Sequence, residues 1–398
     1  MPVEQREERA TPDEIRRIIR EELRPHFREL ATLGSTPELL ASPVYQRLRP
    51  RADVALNTPE VGAFGPDAAP EKASYRLVAW NLERGIYCDE QLEALRTHPH
   101  MRGADVLLLT ETDVGMARSG NRNIARELAQ QLGMHYAFSP CYLNLAKGSG
   151  VEYDVTGEND LGLHGNAILS RYPLRNVRPV ALKNGKDKMK GREKRLGRQT
   201  AVVAEVELPQ GAVSFASVHL DANSSQPHRR DQMRDVLDGI GPDKPAVVGG
   251  DWNTTTYNSS SATDAILGFW VRVFMGPDNV IRNHYLHPYN KFEKDLFALL
   301  EERGFDYRDS NSIGERTTSY DVDDAKTHKN LREWVPAWCF AFIRWALRNH
   351  DGKCPLKIDW FAVRGLRSTD PRVFHEFREG RQPPLSDHDP IAVDVAFE

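Results

Sequence analysis

PAVVGGDWN, residues 245–253, is a short apolar run opened by Pro245, loosened by two glycines and closed by a carboxylate and a carboxamide. Runs of this length bounded by turn residues read as buried strands. Alternation along such a strand puts Asp251 and Asn253 on the same side of the backbone, where one ligand could touch both. Seven more runs share this design: YRLVAWNL (75–82), ADVLLLTET (104–112), GNAILSRYPL (165–174), TAVVAEVEL (200–208), AVSFASVHL (212–220), IDWFAVRG (358–365) and IAVDVAF (391–397). Several end in polar residues of the kind that carry chemistry.

Helical periodicity intervenes at residues 90–97, 121–132, 227–240 and 291–303, so the class is mixed α/β. Before the first strand, TPDEIRRIIREELRPHFREL opens with Thr11 as N-cap, Pro12 at the first helical position and two acids in the first turn. Ile15, Ile18, Ile19 and Leu23 then form an apolar face that requires a packing partner. Residues from about 51 to 72 are rich in Pro, Gly and Ala and read as a linker. The chain therefore divides into a helical extension with linker at 1–72 and a main domain at 73–398. Within the latter, an aromatic-rich insertion spans about 257–354.

The 398 residues exceed one average domain, which allows one large core with extensions. With 53 basic against 57 acidic residues, a histone-like binder of nucleic acid is excluded. The longest nearly apolar stretch, Val335 to Leu347, is interrupted by Arg344 and falls short of the roughly 20 residues a spanning helix needs. Cys88, Cys141, Cys339 and Cys354 are scattered without a CxxC pair, which argues against zinc ribbons and dense disulfides. The charged N-terminus carries no legible export signal, and a cytoplasmic location is the expectation.

Two segments stand apart. Residues 183–198, KNGKDKMKGREKRLGR, hold eight bases and two acids; they read either as a solvated loop or as a flap that steers phosphate groups. In the insertion, Trp334, Trp338, Phe342 and Trp345 share a helical face. Buried core is the expectation for that stripe, and an apolar lid toward substrate or partner is the alternative.

The candidate chemistry sits at strand ends. Asn81, Glu111, Asp251 and Asn253 offer oxygen donors suited to a hard divalent cation such as Mg²⁺. Asp387 directly precedes His388, and a neighbouring carboxylate can fix an imidazole tautomer and raise its basicity, as a general base for water requires. His219 and Asp359 lie at or within further apolar runs. Four acids in one cleft would need a cation and the two imidazoles to offset their repulsion.

In chain order, Asn81, Glu111, His219, the Asp251 and Asn253 pair, Asp359, and the Asp387 and His388 pair resemble the complete motif sequence of the endonuclease/exonuclease/phosphatase superfamily, the DNase I-like proteins. GNAILSRYPL is similar to that family's central strand. The resemblance covers about residues 75–398, sparsely within the insertion. It implies two packed, mainly antiparallel sheets flanked by helices in a four-layer sandwich, with the active site at one end. It further implies Glu111 as the principal Mg²⁺ ligand, with Mn²⁺ as a substitute ion, and Asn81 as a supporting ligand. Asp251 would position or activate water, Asn253 would hold the phosphate, and His219 would stabilise developing charge or assist the leaving oxygen. Asp387 would complete the His388 base or touch the metal, and Asp359 would orient a histidine.

The resemblance thus implies a Mg²⁺-dependent phosphoester hydrolase, a phosphodiesterase first. A histidine at position 219 looks more like the DNase I and sphingomyelinase branches than the abasic-site nucleases, which place tyrosine there. The basic segment favours nucleic acid as substrate, and the aromatic insertion favours a lipid or another apolar leaving group. A non-catalytic scaffold that holds phosphate is the alternative from another class.

Overall fold

Chain segments 10–148, 150–255, 258, 262–323 and 339–397 are described by the structure, a computed structural model. Its strands are β1 (Glu60–Ala63), β2 (Tyr75–Arg84), β3 (Val106–Val114), β4 (His135–Asn144), β5 (Leu163–Ser170), β6 (Leu174–Ala181), β7 (Arg195–Gly197) and β8 (Thr200–Leu208). They continue with β9 (Gly211–His219), β10 (Ala246–Asp251), β11 (Thr318–Asp321), β12 (Lys353–Leu356), β13 (Asp359–Arg364), β14 (Arg367–Val373) and β15 (Ile391–Ala396). The larger sheet has the order β1-β4-β5-β3-β2-β15-β14, with β7 also paired to β4; the smaller has the order β13-β10-β9-β8-β6. Pairing is antiparallel except between β2 and β3 and between β9 and β10.

The two sheets face each other through Leu77, Leu108, Ile168, Val206, Phe215, Val247, Phe361 and Val393, all buried. Each such side chain contributes roughly 1.5–3 kcal/mol when fully withdrawn from water. On the outer face of the larger sheet, Trp80, Leu107, Phe138 and Leu169 meet Ala94 and Leu95 of helix Cys88–Thr97 and Ile124 and Leu128 of helix Ile124–Leu132. On the outer face of the smaller sheet, Val218, Val248 and Trp360 meet helices Gln226–Ile240 and Lys294–Glu302 through Met233, Leu237, Phe297 and Leu300. The result is the expected sequence of helix, sheet, sheet and helix layers.

The N-terminal helices belong to the same core. Thr11 caps helix Pro12–Arg17 through its side chain, as its sequence suggested. Ile15, Ile18, Ile19 and Leu23 pack with Leu48, Ala52 and Ala55 of helix Pro43–Asn57 into the outer layer of the larger sheet. Residues 51–72, read from sequence as a linker, contain the end of that helix and then β1, which pairs with β4 in register Glu60 to Phe138. The Pro and Gly residues that suggested a linker surround the edge strand instead: Pro59 precedes β1, Gly62 lies within it, and Gly65 and Pro66 follow it.

The basic segment 183–198 lies against the body. Met189 and Leu196 are buried, Lys188 Nζ meets Asp221 Oδ2 at 2.9 Å, and β7 pairs with β4. In the insertion, Phe342 is 42% and Trp345 52% exposed, which corrects the reading of that stripe as buried core. Its other members, Trp334 and Trp338, lie outside the described residues. Cys88, Cys141 and Cys354 are free thiols. Among the described residues, no helix is long and apolar enough to cross a membrane.

Candidate active site

Three candidate residues come from adjacent strands of the smaller sheet at one level. In the ladder, Asp251 of β10 stands opposite His219 of β9 on one side and Asp359 of β13 on the other. Gly250 makes that junction feasible: its φ is +130°, and a Cβ there would lie 2.3 Å from the Val218 carbonyl oxygen. The larger sheet brings Asn81 and Glu111, and the turn before β15 brings Asp387 and His388.

Asp251 is the hub. Its Oδ2 accepts a hydrogen bond from Asn81 Nδ2 at 3.1 Å and lies 3.5 Å from His219 Nε2 and 3.7 Å from His388 Nε2. Its Oδ1 accepts from the backbone N–H of Asn253 at 2.9 Å. Burial, with Asp359 adding repulsion, raises the Asp251 carboxyl to about 6, although both imidazoles pull in the opposite direction.

His388 is held by Asp359. Nδ1 lies 2.9 Å from Oδ2 and 3.1 Å from Oδ1, and Thr317 Oγ1 lies 3.1 Å from the Asp359 backbone nitrogen. Burial alone would lower the imidazole's basicity, but Asp359 and Asp251 outweigh it and raise it well above its ordinary value. This differs from the reading in which the sequence neighbour Asp387 fixes the tautomer. The Asp387 side chain is 60% exposed, and its Oδ1 is 4.0 Å from His388 Nε2.

Glu111 takes the left-handed conformation, with φ +52°, which aims its carboxylate across the gap between the sheets. Oε1 lies 4.0 Å from His219 Nε2, so one imidazole spans Glu111 and Asp251. Arg84 Nη1 is 3.1 Å from Oε2 as an ion pair, yet that buried oxygen has no hydrogen-bond partner. Burial opposes ionisation of Glu111, but Arg84 and the histidines hold its carboxyl far below the usual carboxylate range. Asn253 joins the group through a left-handed turn (φ +48°) rather than strand alternation, and its amide donates to the Leu220 carbonyl at 2.9 Å.

All eight candidate residues therefore gather at one end of the sandwich, with Asp387 at the solvent edge. Sequence reasoning missed their supports. Glu83 and Arg84, both left-handed, follow Asn81 at a β-bulge. The Glu83 carboxylate accepts the backbone N–H of Asp387 at 3.0 Å, tying two distant segments together. Their only signal was charge directly after an apolar strand. Lys357, fully buried, places Nζ 4.7 Å from the Trp360 ring centre with no hydrogen-bond partner.

Behind Glu111 lies a buried charge network. Arg118 pairs with Asp113 at 2.8 Å, Glu152 at 2.8 Å and Glu193 at 2.9 Å. Glu152 Oε1 in turn lies 2.7 Å from Arg84 Nε. Through Glu193 the network reaches the basic segment.

The donor set fits a hard divalent cation. It offers carboxylates and an amide oxygen, and the orphaned Glu111 Oε2 is the kind of buried acceptor a metal ion would satisfy. Asp251, Asp359 and His388 also bring ligand atoms within 4.8 Å of one another. In that trio, however, His388 Nδ1 is already engaged by Asp359. Both the Glu111 side and this trio could hold a cation, and the trio could also handle a proton.

Compared with known families, residues 78–388 match the model of the endonuclease/exonuclease/phosphatase family. The chain belongs to that family. A fold of this kind carries phosphoester hydrolysis across the family, generally with a divalent metal ion. Among solved structures, a family member from Beutenbergia cavernae is 16% identical, with 82% of this chain and 72% of that chain covered at a TM-score of 0.51. The human Nocturnin catalytic domain with bound sulfate is 14% identical, covering 83% and 96% at 0.45. A 3' phosphatase, NExo, from Neisseria bound to a product DNA hairpin is 16% identical, covering 80% and 98% at 0.43. Curated proteins give no match. At 16% identity the Beutenbergia cavernae structure speaks to the fold of this chain alone.

Proposed function

We propose that this member of the family is a Mg²⁺-dependent phosphoester hydrolase, with Mn²⁺ as a substitute ion, that attacks phosphorus with a water activated by His388. The observation that carries this reading is the convergence on Asp251 Oδ2 of Asn81, His219 and His388, from three separate segments. Such a buried acid between two imidazoles suits proton transfer and in-line attack on an anionic ester.

Glu111, supported by Asn81 and Asp387, would hold the cation, which supplies charge neutralisation at a phosphate oxygen. His388 Nε2 accepts the proton of the attacking water, while Asp359 stabilises the imidazolium through Nδ1. Asp251 orients the water between the two rings. Asn253 faces the phosphate, and His219 supports the charge that develops on departure of the ester oxygen.

Within this reaction class, nucleic acid is the first substrate to test, on the strength of the basic segment. A lipid headgroup is the second, on the strength of the exposed apolar helices of the insertion. The test uses plasmid DNA, RNA, sphingomyelin and bis-para-nitrophenyl phosphate, with and without EDTA, for the wild type and His388→Ala. EDTA-sensitive hydrolysis that disappears in the variant supports the proposal. Absence of hydrolysis on every substrate, with phosphate binding retained, would instead identify a scaffold.

A further inference from the structure

Two helices of the insertion turn apolar side chains to solvent. Helix Ala262–Met275 exposes Ile266, Leu267, Val271 and Phe274, the last 83% exposed, and helix Cys339–Ala346 exposes Phe342 and Trp345. At about 100° per residue, the first four fall within one sector of their helix. Trp270 joins the two helices by an edge-on contact with Phe342, ring centres 5.8 Å apart. The exposed side chains therefore form one surface. Contiguous apolar surface of this kind on a soluble fold marks an interaction site.

The rim of that surface carries two arginines. The Arg348 guanidinium lies 4.9 Å above the exposed Trp345 ring, and Arg344, exposed one turn before it, pairs with the exposed Asp323 at 2.6 Å. From Cys339 to His350 the chain carries no acid. Tryptophan and phenylalanine beside arginine, on short helices that cannot span a bilayer, are the composition of helices that lie in the interfacial layer of a membrane. A complementary anionic headgroup layer would meet the arginines while the aromatic rings enter the acyl boundary.

The platform is also attached to the site. Helix Ala262–Met275 follows shortly after Asn253. Helix Cys339–Ala346 lies between the strands of the ribbon β11–β12, whose first residue, Thr318, donates its hydroxyl to the Asp387 carbonyl at 2.6 Å. Leu356, paired with Thr318 at that same end of the ribbon, leads through Lys357 and Ile358 into Asp359. We infer that this face seats the protein on an anionic lipid surface. The inference goes beyond the proposed hydrolysis and stands independently of it, since seating needs neither metal nor substrate.

Flotation with phosphatidylcholine vesicles, and with vesicles of phosphatidylcholine and phosphatidylglycerol in equal parts, tests it on the full chain in EDTA. Binding to the anionic vesicles is expected. Phe274→Ser combined with Trp345→Ser should weaken it about tenfold or more, as should Arg344→Glu combined with Arg348→Glu. Both double variants should keep the wild-type far-ultraviolet dichroism. Vesicle binding that neither variant alters overturns the inference. So does a lack of vesicle binding, including the case where light scattering finds a dimer that the Phe274 and Trp345 changes dissociate, since the face would then seat a second copy. Bis-para-nitrophenyl phosphate hydrolysis, followed in parallel with Mg²⁺, reports on the reaction separately.

Discussion

His388 and Asp359 form a doubly contacted pair: Nδ1 of the imidazole lies 2.9 Å and 3.1 Å from the two carboxylate oxygens, which leaves Nε2 facing Asp251. The carboxylate fixes which nitrogen carries the resting proton, and it favours the imidazolium.

Asp359→Asn should therefore lower the maximal rate by ~10²–10⁴-fold. A general base works when neutral, so the rising limb of the pH–rate profile marks its deprotonation. Asp359 raises that basicity, and its replacement should move the limb toward acid. An unmoved limb in a profile of kcat/KM would remove Asp359 from the proposed role.

Glu111→Gln keeps the shape of the side chain and removes its charge. If Glu111 is the principal ligand, half-maximal activity should require at least ~10-fold more Mg²⁺. The wild type should gain about 2.7 kcal/mol of stability at a metal concentration one hundred times the dissociation constant. Differential scanning calorimetry should show that gain shrinking in Glu111→Gln at the same concentration.

Arg118 is nearly solvent-free among three acids, so Arg118→Ala would take a buried charge partner from Asp113, Glu152 and Glu193 at once and should cost about 3–5 kcal/mol by urea unfolding. Despite burial, Arg118 holds Asp113 at about 2, and Arg195 with Arg118 holds Glu193 at about 2, against ordinary values of 3.8 and 4.5. Depressed carboxylates stabilise the fold above their unfolded values, and that contribution fades as pH falls toward about 2. Wild-type stability should drop through this window, and the drop should be shallower in Arg118→Ala.

Lys357 shows the opposite sign. Burial lowers its ammonium from 10.5 to about 8 despite the attraction of Asp359. The unfolded chain binds the proton more tightly, so this residue makes stability rise as pH climbs from about 8 to 10.5. Lys357→Met should abolish that rise and stabilise the protein at neutral pH by ~1–3 kcal/mol. Equilibrium unfolding at pH 7 and pH 10 measures both.

Most strands of the two sheets were legible because their apolar runs are short and end at Gly, Pro or polar residues. Strand β4, HYAFSPCYLN, was not: His135, Ser139, Pro140 and Asn144 interrupt its pattern, yet all ten of its residues are buried. Edge strand β1, EVGA, is only four residues long and β14, RSTDPRV, is mostly polar, so both lack the signal. Within the site, residue identities were legible from strand ends, but partnerships were not. His388 is adjacent to Asp387 in the chain and bound to Asp359 in space, a choice set by the pairing of β13 with β10 rather than by local sequence. The left-handed residues Glu83, Arg84 and Glu111 are of types that carry no propensity for that conformation, whereas Asn253 is of a type that tolerates it.

The alignment of His219, Asp251 and Asp359 as ladder partners makes chemistry a gauge of strand registry. A slip of one residue in either pairing would send one member of the row to the opposite face and leave a well-folded-looking but silent sandwich. Turnover, if measured per molecule after refolding, would then count properly threaded chains in a way that dichroism or compactness could not.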